Sequence, residues 1–550
     1  MVTESKNINL VKRQLAEGQI DRREFLRLST LLGLSATAAY AFAGKVTGQS
    51  EARAAEDDIP MGGTLNWGMT VQPIDSPHTF SWVQPTNIVR QVCEYLTYTD
   101  PSNVTHPYLL EGWEASDDLK TWDLKVRKGV KWRNGRDFTA EDAAWNLAHV
   151  LDPATGSSVV GLMKPYMLKE ENGETVLWDA NAIEVVDPHT LRLNLKEPQI
   201  AIPEHLFHYP LLILDPEEKG VFAVGSNGTG PYELLEHTVG QRAVLRKRSD
   251  GGYWGDKKGY LDEVVISDLG NATDAAMAAL ASGQVDLLYE VDASQVQLLD
   301  SMDRVALFES LTAQTGVART QIDQKPFDDP RVRKAMRLAV DTRELLQIGN
   351  LGQGEAAEHH HVAPVHPEYA KLPWMNRDIE AAKKLLAEAG HPDGIDVEIV
   401  AKPDPGWELR TVQAMVEQMK PAGIRVNINV MPSAQFWDVW NTVPFGFTSW
   451  GHRPLGVMVL GLAYRTGVPW NESHYSDAEF DSLLAQADAT LDVDKRREVM
   501  AKLETVMQER GPIVQPLWRS TYNAGSDRLR GYQLHPSLYT MVNGLGLTPA

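Results

Sequence analysis

The sequence predicts an α/β protein. In the C-terminal half a helical pattern is twice followed by a strand. Ala382, Leu385 and Leu386 share a face before a stop at Gly390 and the alternating Ile395, Val397 and Ile399. Val412, Met415, Val416 and Met419 do the same before Gly423 and Ile424, Val426, Ile428 and Val430. Helix then strand, repeated, predicts parallel pairing through crossover helices. Far upstream, Trp122, Leu124 and Val126 alternate with Asp123, Lys125 and Arg127, the period of a half-buried strand. With 550 residues the chain has room for three or four units, each with its own core.

The N-terminus stands apart from this pattern. Asp21-Arg22-Arg23-Glu24-Phe25-Leu26-Arg27 resembles the twin-arginine export motif, and the apolar run Leu28 to Ala43 is short and rich in small residues. Ala52-Arg53-Ala54 offers a cleavage site, so residues 1–54 are expected to be a removable twin-arginine signal peptide. They hold three more basic than acidic residues, whereas the whole chain carries −21. A strongly acidic remainder repels nucleic acid and anionic membranes, which are not expected partners. The single cysteine, Cys93, excludes an internal disulfide and sits among apolar neighbours as a small hydrophobe. The leader contains no cysteine, so a lipid anchor is not expected.

After the leader, Gly63-Thr64-Leu65-Asn66-Trp67-Gly68 reads as an opening strand. Val130 and Trp132 resume the alternation beyond Gly129 and predict a second strand after Trp122–Val126; Asn134-Gly135 then turns the chain, and Thr139 with Asp142 caps a helix. Leu191, Leu193 and Leu195 form another strand, and Gly228-Thr229-Gly230-Pro231 a tight turn rather than a phosphate loop. Thr273 opens a helix with Ala276, Met277 and Leu280 on one face and Gly283 as its stop, ahead of a strand at Val285, Leu287 and Leu288. Asp329-Pro330 caps a helix with Val332, Ala335, Met336, Ala339 and Val340 on one face. Ser476 with Glu479 is a capping box for a helix through Phe480 and Leu483, and a last helix through Met500, Leu503 and Met507 ends at Gly511-Pro512.

Read together, G-W-E-x-S-D-D-x-K-x-W from Gly112, then G-V-K-W-x-N-G and F-T-A-E-D, and later Phe327-Asp328-Asp329-Pro330-Arg331-Val332-Arg333-Lys334-Ala335, resemble the signatures of bacterial extracellular solute-binding proteins of family 5, with dipeptide-, oligopeptide- and nickel-binding members of ABC importers. The resemblance implies a two-lobed periplasmic binding protein of type II, dipeptide-binding-like, with an extra domain on the first lobe. Lobe I would comprise 55–100, 221–315 and 513–550, the extra domain 101–220, and lobe II 316–512, with a hinge near Ala313 to Ile322. It further implies that a peptide or other small organic ligand is held between the lobes by hinge closure and handed to inner-membrane permease subunits, by a monomer in the periplasm without cofactor.

Candidate ligand residues fall in three places. By the resemblance, Trp67 and Met69, where the opening strand ends, line the cleft; equally, Trp67 is a core residue. Glu358 to His366 concentrates four of the chain's 15 histidines, with His359, His360 and His361 adjacent. Imidazoles so close ligate metals, hydrogen-bond an organic ligand, or lie in an ordinary loop; neighbouring histidines share no face, and no second cluster completes a metal site. The third place is Trp450-Gly451-His452-Arg453-Pro454. In peptide-binding relatives the corresponding stretch carries an Asp for the ligand's ammonium group, and here the resemblance places Trp450 there. An ammonium without a carboxylate is costly to bury, which puts free peptides in doubt. Trp450 would stack on an apolar or cationic group; Arg453 would fork to a carboxylate or phosphate, or make a structural salt bridge.

G-x-S-x-G, H-E-x-x-H and Walker motifs are absent, so no enzyme is expected; Gly352-Gln353-Gly354 lacks the strand context of a dinucleotide loop. The rival readings are an exported hydrolase using scattered carboxylates, a nickel-type metal or metal-chelate binder, and a sensing protein or chaperone of the same fold.

Overall fold

The computed structural model describes residues 6–20, 22–32, 34, 36–47, 59–256, 259–270 and 273–549. Contacts divide the chain into two units. The first comprises Met1–Glu290, Leu299–Phe308 and Asn523–Ala550, the second Val291–Leu298 and Glu309–Tyr522.

In the first unit the strand Thr64–Gly68 runs parallel to Glu263–Ser267 on one side and to Leu287–Leu288 on the other. Arg242–Lys247 and Tyr232–Thr238 extend the sheet as antiparallel strands. Leu65, Trp67, Val264 and Ile266 are buried on one face of the central strands, while Asn66 and Val265 on the opposite face are half-buried. Gly68 ends the opening strand because a Cβ there would lie 2.7 Å from Leu269 and 2.9 Å from Leu288.

A second sheet of this unit contains Leu110–Ala115, Thr121–Val126, Thr190–Asn194 and Ile183–Asp187, adjacent in that order and antiparallel. Trp122, Leu124 and Val126 point inward as their alternation predicts. The strand expected at Val130 and Trp132 does not form. Both residues are buried, but only Lys131 bridges Asp137, across the Asn134-Gly135 turn. The true neighbour, Leu110–Ala115, carries a bulge between Leu110 and Gly112 that interrupts its alternation and hid it. Thr139 and Asp142 do form a capping box at the helix Ala140–Leu151, with the Thr139 N–H donating to Asp142 at 2.9 Å. The chain bends at Thr229 to Pro231, and Gly228 and Gly230 also lie at a close crossing: a Cβ on Gly228 would lie 2.0 Å from the Val92 oxygen, and the Gly230 N–H donates to that oxygen at 2.8 Å. Cys93 is fully buried, and burial pushes its thiol up.

Helices Lys6–Ala16, Arg22–Leu31 and Ala36–Thr47 occupy the expected leader; Asp21 and Ala52-Arg53-Ala54 lie outside the described residues. Among the described residues no helix is long and apolar enough to cross a membrane.

In the second unit Phe445–Trp450 pairs antiparallel with the later part of Val305–Thr320 and meets Ile395–Ala401, which runs parallel to Ile424–Val430. The predicted crossover helices, Ile379–Glu388 and Gly406–Met419, bury Leu386, Val412, Met415 and Met419 with Ile399 and Phe447 in one core. Gly390 and Gly423, at φ 92° and 81°, stop the two helical segments. Asp329 caps Pro330–Leu338 through the Arg331 N–H. The capping box expected from Ser476 is displaced by one residue. Asp477 is the cap of Ala478–Asp488, accepting from the Glu479 and Phe480 N–H groups at 3.0 Å each, and the Glu479 carboxylate instead meets Arg510. An ionised carboxylate is the stronger acceptor for these N–H groups, and the helix dipole favours its charge.

Candidate ligand-binding site

The histidine run lies in the second unit, in a stretch of backbone that is neither helix nor strand. His359 and His361 take φ 65° and 60°, a left-handed conformation that costs a side-chain-bearing residue roughly 1–2 kcal/mol. All three imidazoles are buried, and each meets different partners. His359 Nδ1 accepts the Gln515 N–H at 3.0 Å; burial, then the charges of Arg337 and His360, push its pKa down to about 3. His360 Nδ1 accepts the Val362 N–H at 3.3 Å, and its Nε2 lies 3.6 Å from both Glu358 and Glu504.

Those two carboxyls are driven apart. Burial raises Glu358, but hydrogen bonds from His360 and Tyr369 outweigh it and hold the group below its ordinary value. Burial, reinforced by the charges of Glu358 and Glu368, pushes Glu504 well up, although the Ala370 N–H donates to it. The two carboxyls flanking His360 are thus shifted in opposite directions, Glu358 down and Glu504 up.

His361 sits differently. Its own N–H donates to Gln515 Oε1, and its Nδ1 lies 2.5 Å from the Tyr464 hydroxyl. The rings of Tyr464, Trp450 and Trp518 surround it at 5.5, 5.8 and 5.9 Å. Burial keeps the ring neutral, far below its usual pKa.

The third predicted segment joins this group. Trp450, 5% exposed, donates its indole N–H to Glu472 at 2.9 Å, and Glu472 also receives Arg319 Nε at 2.8 Å and the Thr448 hydroxyl at 2.6 Å. Trp470 and Trp440 continue the aromatic cluster at 5.9 and 6.5 Å from Trp450. His452 Nδ1 accepts the Ala313 N–H, His366 Nε2 donates to the Arg453 carbonyl at 3.0 Å, and Arg453 Nη1 donates to the His452 carbonyl at 3.0 Å. The structure thus unites His361 with Trp450, and ties His366 to Arg453, across about ninety residues of chain.

Trp67 and Met69 belong to the first unit. Trp67 is fully buried in its sheet, in keeping with the core reading; Met69 is 4% exposed, with Asn87 Nδ2 4.0 Å from its sulfur. Sequence reasoning did not single out Gln515, Trp518, Glu504 or Arg319; each is remote in sequence from the segment it serves. Among the described residues no group of three or more His, Cys, Asp or Glu is placed to hold a metal ion. The first unit also has an open cavity of about 560 Å3 lined by Arg133, Glu233, Arg248 and Asp250, with no predicted site residue. Its arginines are already committed, Arg133 to Glu233 and Arg248 to Asp250.

The sequence model of bacterial extracellular solute-binding proteins, family 5, middle region, matches residues 104–467. Glutathione-binding protein GsiB of Escherichia coli (strain K12) is 26% identical over 498 residues, which cover 85% of this chain and 90% of that protein. The periplasmic binding protein AgaA from A. tumefaciens R10, solved with agropinic acid, superposes with a TM-score of 0.78 at 21% identity, over 89% of this chain and 99% of that one. DppA from Helicobacter pylori, solved with the peptide STSA, gives 0.75 at 19% identity, over 89% and 98%. These two likenesses show the fold, the α/β fold of the two-lobed periplasmic binding proteins.

Proposed function

Because the chain belongs to family 5 of the bacterial extracellular solute-binding proteins, we propose that it is the periplasmic solute-binding component of an ABC transporter, capturing a small peptide-like solute and delivering it to a membrane permease. The observation that carries this reading is the family match, which spans residues 104–467 and takes in both the signature stretch and the histidine and Trp450 segments. The family is one of binding proteins rather than enzymes.

The chemistry of the second unit supports an organic solute over a metal. Imidazoles whose Nδ1 atoms already accept backbone N–H groups are poor chelators, whereas indole, phenol and imidazole together suit a polar molecule with flat or apolar parts. His359, His360, His361, Trp450, His452 and Arg453 are the proposed contacts in this unit; for Trp67 and Met69 the family resemblance is the sole support. Relatives named for glutathione, agropinic acid and the peptide STSA make small polar organic acids and peptides the first solutes to try. The twin-arginine motif supports export by that machinery, with cleavage after Ala54 and a monomeric mature protein.

Native mass spectrometry of protein taken from the periplasm tests the reading. A stoichiometric small molecule, released on denaturation, is the expected result. A protein that turns a periplasmic solute over without retaining it would favour the hydrolase reading instead.

A further inference from the structure

Four buried histidines of the second unit, His359, His360, His366 and His452, accept a backbone N–H at Nδ1. The Nδ1 of each is thereby committed to the backbone. His361 does not follow them, because its Nδ1 faces the Tyr464 hydroxyl at 2.5 Å. A phenol is the better donor and an imidazole nitrogen the better acceptor, so Tyr464 donates and the neutral His361 ring carries its proton on Nε2. That Nε2–H is fully buried and has no hydrogen-bond partner.

Beside it is a second such donor. Trp518 is 1% exposed, its indole N–H is also without a partner, and its ring centre lies 5.9 Å from that of His361. Buried N–H groups are rarely left unmade, since each costs about 1–3 kcal/mol, so two on adjacent rings call for an acceptor. Trp450 and Tyr464 complete the aromatic surround.

We propose that His361 Nε2–H and Trp518 Nε1–H form a paired donor site for an acceptor oxygen of the solute, a carboxylate or amide carbonyl, set in an aromatic surround. The inference rests on the solute-binding reading above and assigns to His361 a role that His359 and His360 do not share. Both donors are neutral, so the pair recognises an oxygen without supplying a counter-charge.

The test is nuclear magnetic resonance of the full chain labelled with 15N at histidine and tryptophan, freed of any co-purified solute and titrated with sodium acetate, with acetamide, and with sodium chloride as control. The two side-chain N–H signals are assigned in the wild-type chain by the Overhauser contact between the rings, and checked by their loss in His361→Gln and Trp518→Phe. Both signals are expected to move together, with one saturation constant, for acetate if the site reads a carboxylate and for acetamide if it reads a carbonyl. His361→Phe should weaken the response about tenfold, as loss of one hydrogen bond does. Signals that move with none of the probes, or equally with chloride, overturn the proposal and leave at most an ordered water between the rings. A stoichiometric solute in native mass spectrometry with unresponsive N–H groups defeats this inference alone; responsive groups in a protein that retains no solute defeat the transport reading and leave the donor pair standing.

Discussion

The Gly112–Asn146 stretch of the first unit and the Glu358–His366 segment of the second both bury polar side chains, and they resolve them in opposite ways. In the former, Asp142 alone receives the Trp132 indole at 3.2 Å, the Thr139 N–H at 2.9 Å and Arg136 at 2.7 Å, while Arg136 reaches on to Asp215 at 2.6 Å. Strand, turn and helix start are closed upon one another, and little is left for a ligand. In the latter, left-handed backbone at His359 and His361, a carboxyl at Glu504 whose pKa burial pushes up, and unmade imidazole groups persist inside the protein. The former segment closes its polar groups on one another, whereas the latter keeps the His361 Nε2–H that we assign to the solute.

The sharpest way to break this contrast is Trp132→Ala. Truncating a fully buried indole and removing a donor from Asp142 should cost about 3–5 kcal/mol in denaturant unfolding, with solute affinity unchanged in molecules that remain folded. Next comes Trp450→Phe, which keeps a ring but takes a donor from buried Glu472. It should lower stability by about 1–3 kcal/mol and also weaken solute binding, both measurable on one sample by melting and calorimetry.

Acidity sharpens the contrast from another side. The folded-state pKa of Glu504 lies above its unfolded value, so its contribution to stability is complete below about 4.5 and is lost as pH rises toward the raised folded value. Glu358, depressed, works in the opposite sense and loses its contribution as pH falls. On the Glu504 side, the wild-type protein should melt higher at pH 5 than at pH 8, and Glu504→Gln should flatten that difference; an unchanged slope would show that the carboxyl is not held protonated. The smallest effect concerns a cap. Asp477→Ala should cost about 1 kcal/mol and Ser476→Ala almost nothing, read from the same unfolding curves.

What the sequence disclosed divides along the same line. Trp122, Leu124 and Val126 were legible because a strand with one wet face must alternate, and Asp329 because a cap acts on residues next to it. Leu110–Ala115 was not, since a bulge breaks the period, and Ser476 was preferred to Asp477 because two cap residues stood side by side. The histidine run was conspicuous in composition, yet the role of each ring depends on distant partners. Gln515 lies 156 residues from His359, and Ala313 lies 139 from His452. No local pattern announces Gln515, Glu504 or Trp518, so the donor pair at His361 emerges only when the chain is folded.

The division of labour between the two segments is tested most directly by measuring melting temperature and solute dissociation constant together on Trp132→Phe and His361→Gln, with the solute identified by native mass spectrometry. Trp132→Phe should lower the melting temperature and leave the dissociation constant in place, while His361→Gln should raise the dissociation constant about tenfold and melt close to wild type. A His361→Gln protein that binds as wild type but melts early would place the histidine segment with the scaffold and contradict the assignment.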